Sequence, residues 1–144
     1  MAHARAMLDT YPGEFGFPAE DLAAAIEACI DCAQTCTACA DACLAEDDVV
    51  ELRRCISVDL NCADLCATTS RLLSRQTDYD PTVTQRTLEA CIRLCVACAA
   101  ECEKHAHHHK HCAVCAEVCR ACAKACTDLL NDEVEQEMRA LLGG

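Results

Sequence analysis

Cysteine recurs along this chain at alternating intervals of three and four residues, and that spacing constrains the fold more than any other feature. Cys29, Cys32, Cys36, Cys39 and Cys43 follow intervals of 3, 4, 3 and 4, and Cys112, Cys115, Cys119, Cys122 and Cys126 repeat them. Cys91, Cys95, Cys98 and Cys102 follow 4, 3 and 4, and Cys55, Cys62 and Cys66 form a shorter stripe. Residues three and four apart share one face of an α-helix. Each stripe is therefore the seam of a helix in which Cys replaces the usual Leu or Ile.

Turn signals divide the stripes into separate helices. The first helix starts near Pro18, with Glu20 and Asp21 in its first turn, and runs to about Ala45. The break Glu46-Asp47-Asp48 ends it and can cap a second helix that runs to about Arg75. Asp80 and Pro81 read as N-cap and N1 of a third helix, which ends near His107. The His107–Lys110 turn leads into a fourth helix ending near Leu130. Asn131 can cap a short last helix, Asp132 to Leu142, closed by Gly143-Gly144. Connections this short make sequential helices antiparallel neighbours. The expected fold is all-α, an antiparallel up-down-up-down four-helix bundle with a short C-terminal helix. Residues 1–17 form a lead-in, 18–130 the metal-storage bundle and 131–144 the C-terminal helix. Abundant Ala with two Tyr, two Phe and no Trp fits close helix packing and leaves little with which to build a sheet.

Seventeen cysteines in 144 residues would suggest disulfides in a small secreted protein. Here the count is odd, Met1–Phe17 lacks an apolar signal core, and helical spacing rarely gives disulfide geometry. A reduced, cytosolic setting is expected, where dense Cys means metal or redox chemistry. Leu or Val on the seams would contribute more stability than Cys, so the sulfur itself is what the seams are for. No apolar run approaches about 18 residues, so no membrane span is expected. The formal net charge of −12 argues against nucleic acid and anionic membranes as partners.

Soft thiolates select Cu(I), zinc or iron–sulfur clusters. The C-x-x-C-x-x-C run of ferredoxins is absent. Tetrathiolate zinc carries a charge of about −2 per site, which is costly when repeated in a dry core. Cu(I) and thiolate paired one to one are neutral, and bridging thiolates extend a cluster along the axis. A capacity on the order of one ion per thiol, roughly 15–20, follows. The C-x-x-C pairs stand in no strand–helix context and none precedes His, so thioredoxin-like chemistry and covalent haem are not indicated. No general base or substrate pocket is legible, and no catalysis is expected.

The two ends of the tube differ. At one, the seams continue into Leu22, Ile26, Leu72 or Leu73, Leu88 and Leu129, a hydrocarbon seal. At the other, the third seam continues from Cys102 to His105 and His109, and the fourth helix opens with His111 and Cys112. Imidazole also binds copper, so His105, His109 and His111 are expected to line an open mouth, with His107 and His108 outside. Asp59 fills the seam position between Cys55 and Cys62. A carboxylate there needs a partner. It is expected to hold an incoming ion weakly or to accept a hydrogen bond from a His, unless a small helix rotation leaves it solvated.

The paired C-x-x-C-x-x-x-C-x-x-C-x-x-x-C stripes, the His-rich turn and the segment Cys112 to Cys126 resemble the bacterial copper storage proteins over about residues 18–130. The resemblance implies Cu(I) filling the core of a four-helix bundle, all 17 cysteines as ligands, assembly into a homotetramer and, without an export signal, a cytosolic location. Exported members use Met near the opening; here Met1, Met7 and Met138 lie outside the stripes, so a Met-lined mouth is not carried over. Storage or detoxification of copper is the leading expectation, with partner proteins or small thiols as donors and acceptors. A copper chaperone delivering Cu(I) to a partner, a zinc or mixed-metal protein and a thiol oxidoreductase are the alternatives.

Overall fold

The computed structural model describes residues 3–143, so Met1, Ala2 and Gly144 lie outside the described residues. Asp80 Oδ1 accepts the backbone N–H groups of Thr82 (2.9 Å) and Val83 (3.3 Å), and Pro81 follows at N1, starting a helix as the sequence predicts. Among the described residues this helix is the fourth of five. α1 spans Ala4–Asp9, α2 Ala19–Leu44, α3 Arg53–Leu73, α4 Pro81–Glu103 and α5 Lys110–Leu141, with a 3₁₀ turn at Val49–Leu52. No strand is present among the described residues.

α2 to α5 form the bundle, closed as a ring. α2 packs on α3 and α5, and α4 packs on the same two helices, leaving the α2–α4 and α3–α5 diagonals across the core. α2 begins after Pro18, with Glu20 and Asp21 placed to oppose the positive end of the helix dipole. By length and composition α2 is also apolar enough to cross a membrane, against the sequence expectation, because Ala and Cys count as apolar. Its Cys29-to-Cys43 face is buried in the bundle, as the core face of a packed helix is.

Three expected boundaries shift. Asp48 precedes the 3₁₀ turn but makes no capping hydrogen bond, because its carboxylate is engaged by His109. α4 ends at Glu103, and the connection occupies the following residues to His109. The C-terminal segment is helical but is not separate: Asn131 lies inside α5, which runs 32 residues, about 48 Å. Its last turns are held by tertiary contacts, with Glu133 buried, Gln85 donating to Glu137 (2.7 Å) and Gln136 donating to the Gly16 carbonyl.

These contacts also dock the lead-in. Leu8 and Phe17 are buried, Phe17 meets Tyr79 edge-on at 5.6 Å, and the Tyr11 and Thr77 hydroxyls are 3.0 Å apart. Beneath them Leu22, Leu88 and Leu129 are fully buried, with Ile26 and Leu73 nearly so. Each fully buried Leu contributes about 1.5–3 kcal/mol. This end of the bundle is closed by hydrocarbon, and of the two leucines expected from α3 it is Leu73 that seals it.

Candidate metal centre

Every one of the 17 cysteines is buried and free, and their sulfurs line the bundle axis. From the sealed end, Cys29, Cys91, Cys122 and Cys126 form a first group whose sulfurs all lie within 4.8 Å of one another. Cys32, Cys66, Cys95 and Cys122 form the next, followed by Cys32, Cys36, Cys62 and Cys119, then Cys36, Cys98, Cys115 and Cys119. Consecutive groups share Cys122, then Cys32, then Cys36 and Cys119. A shared thiol is the requirement for a bridging ligand, so these four groups form one continuous lattice from the sealed end.

Distances within it suit metal. Cys36 and Cys119 are 3.5 Å apart, Cys29 and Cys126 3.6 Å, Cys62 and Cys95 3.8 Å, and Cys66 and Cys122 4.0 Å. A metal–thiolate bond of about 2.3 Å, the zinc value, places three or four sulfurs around one ion roughly 4 Å apart. Ions therefore fit between these thiols without a large backbone movement. At the mouth, burial pushes the Cys43 thiol up to about 12 and raises that of Cys112. A metal entering there must displace protons.

Asp59 is fully buried, which excludes the solvated alternative. Its partners are thiols and not a histidine. Oδ1 accepts from Cys98 (3.0 Å), Cys102 (3.4 Å) and Cys115 (3.4 Å), and Oδ2 faces Cys55 at 3.9 Å. Burial pushes its carboxyl up from 3.8 to about 8, against the lowering effect of the Cys98 hydrogen bond.

The mouth is where α2 ends and α5 begins. Cys39, Cys43 and Cys112 form a group there with His111, whose Nδ1 is 3.5 Å from Cys39 Sγ and 3.6 Å from Cys112 Sγ. The other two expected histidines are placed differently. His109 stacks on His111 with ring centroids 5.5 Å apart, but both its nitrogens face carboxylates: Nε2 lies 3.0 Å from Asp48 Oδ2, and Nδ1 pairs with Glu46. Asp48 is the main cause of a raised His109 pKa, and His109 in turn lowers that of Asp48. His105 is half-buried, and its carbonyl accepts the His109 backbone N–H at 2.9 Å. His107 and His108 are exposed, as expected. Met7 and Met138 are exposed and lie on α1 and on the C-terminal part of α5.

Sequence reasoning missed three residues here. Leu52 is fully buried at the mouth. It lies three residues before Cys55, so extending the α3 seam backwards finds it. Glu46 and Asp48 read as a helix break and a cap for the next helix, with no link to the histidines. The available signal was that the acidic connection and the His-rich turn fall at the same end of an antiparallel bundle.

Comparison with known proteins gives a consistent result. The family described as copper storage protein matches residues 18–131. A copper storage protein of Streptomyces lividans, solved loaded with 10 copper equivalents, is 50% identical, with a TM-score of 0.88 over 90% of this chain and 98% of that one. A cytosolic copper storage protein from Streptomyces lividans, solved with five coppers, is 54% identical, with a TM-score of 0.77 over 78% of this chain and 93% of that one. The Cu(I)-bound copper storage protein BsCsp3, whose apo form is from Bacillus subtilis, is 38% identical, with a TM-score of 0.67 over 74% of this chain and 95% of that one. A cysteine-rich protein of Bacillus subtilis, YhjQ, is 37% identical over 68 residues, 47% of this chain. The chain spans 63% of that relative's length.

Proposed function

Because the chain belongs to the copper storage protein family, we infer that its sulfur tube is a reservoir for multiple Cu(I) ions. The observation that carries this is the run of four-thiol groups with shared members along a closed bundle. Cu(I) and thiolate cancel in charge, so the run can fill without building up net charge in a dry core. The 17 seam cysteines are the proposed ligands, joined by His111 at the mouth; His105 and His109 belong to the rim. Asp59 takes thiol protons' hydrogen bonds in the apo state and sits beside the ions when they arrive. Residues 18–130 are the storage unit, a range supported by the match over 18–131.

The proposal covers binding and release, with no turnover. A cytosolic location is supported by the likeness to the cytosolic Streptomyces lividans protein. Assembly into a homotetramer, with copper exchanged with donor and acceptor proteins or small thiols, completes the reading; light scattering on the apo and loaded protein tests the assembly. Capacity distinguishes a store from a chaperone. Challenge of the loaded protein with a Cu(I) chelator should remove copper slowly and in several phases, because interior ions leave only through the mouth. Fast and complete release to a weak chelator would favour delivery over storage.

A further inference from the structure

We propose that Glu46 is a positioning residue for copper loading: its carboxylate fixes the His111 ring so that Nδ1 presents its lone pair to the Cys39, Cys43 and Cys112 thiols. The proposal rests on the reading of that pocket as the mouth of the copper store.

His111 is held from both sides of its ring. Nε2 lies 3.4 Å from Glu46 Oε2, and Nδ1 faces the two sulfurs at 3.5 and 3.6 Å. An ionised carboxylate only accepts hydrogen bonds, so the nitrogen facing Glu46 carries the proton. In the neutral imidazole the other nitrogen then has the free lone pair. Nδ1 is thereby the metal-facing atom, and the tautomer is set by a group that touches no sulfur. A carboxylate behind a ligating histidine generally serves this purpose.

Glu46 is itself anchored. The same oxygen, Oε2, pairs with His109 Nδ1, while His109 Nε2 reaches Asp48 at 3.0 Å. His109 stacks on the His111 ring with 24° between their planes. Glu46 and Asp48 come from the α2–α3 connection, whereas His109 and His111 come from the start of α5. The connection is tied across the mouth through His109, and Glu46 is held where it can orient His111.

The test uses the full chain and two variants, E46A and E46Q. The His111 tautomer is read in the reduced apo protein from long-range ¹⁵N–¹H correlations, at a pH well above the ordinary imidazole pKa. Wild type should show the Nε2–H form. E46A should lose that preference, and E46Q, whose amide oxygen still accepts from Nε2–H, should keep it. A wild-type ring protonated on Nδ1, or a tautomer ratio unmoved in E46A, overturns the proposal. In anaerobic stopped-flow loading from a Cu(I)–chelator complex, E46A should load slower by on the order of tenfold. E46A should cause no further slowing in an H111A background. Slowing by E46A that persists in H111A overturns a route through His111. Wild-type loading rates in H111A alone would instead refute the mouth, while the tautomer experiment still decides what Glu46 does.

Discussion

Replacing Asp59 with asparagine should flatten the pH dependence of the apo protein's stability. The carboxyl is fully buried among Cys98, Cys102 and Cys115, and burial raises it from 3.8 to about 8. The sign follows from proton counting. Between those two values the unfolded chain has released the proton and the folded chain retains it. The folded state binds more protons, so stability falls as pH rises through this window. The slope contributed by one such group is about 1.4 kcal/mol per pH unit. Across the whole window the loss approaches a ceiling on the order of 5 kcal/mol. The asparagine amide keeps an acceptor oxygen for the thiols but has no proton to lose in this range. Urea unfolding of reduced wild type and Asp59→Asn, followed by far-ultraviolet circular dichroism between about pH 5 and pH 7, separates the two. Wild type should lose about 1.4 kcal/mol per unit relative to the variant. Parallel profiles would refute the buried, protonated carboxyl.

Three further outcomes follow from the same architecture. Leu129→Ala at the sealed end should cost about 2–5 kcal/mol in apo unfolding and leave the loading rate unchanged; a second, faster loading phase would show that this end is not a seal. Replacing His105, His109 and His111 together by Ala should slow loading with capacity nearly intact, and His111→Ala alone should reproduce most of the slowing, because the His111 ring stands against the mouth sulfurs while both His109 nitrogens face carboxylates; a triple variant that loads at the wild-type rate contradicts the mouth. Loading should release protons in a weakly buffered titration, since burial holds mouth thiols such as Cys43 protonated far above neutrality; metal uptake without acidification would contradict neutral apo thiols.

The stripes were legible because helical spacing is local information. Cys29 to Cys43 project onto one face whatever surrounds them, and the continuations to Leu22, Leu88 and Leu129 identify the closed end for the same reason. Contacts between helices were not legible in this way. The partners of Asp59 come from α4 and α5 as well as α3, so spacing along α3 shows that it is inward but not that it meets thiols. His109 lies on the extrapolated α4 seam, but α4 stops at Glu103; His109 becomes the residue before α5, extended in backbone, and turns to the acidic connection. Asn131 has the local character of a cap, yet burial of Glu133 and the contacts of Gln136 and Glu137 carry α5 through it. Tertiary packing overrides a weak local preference there.

We propose that the thiols act together as one copper-filled core. Anaerobic titration of the fully reduced protein with Cu(I), followed by gel filtration with copper and protein quantified in the same fractions, tests it most directly. Co-elution of roughly 15–20 copper ions per chain, near one per thiol, is the predicted result. Saturation at one or two ions per chain, or none, would contradict it.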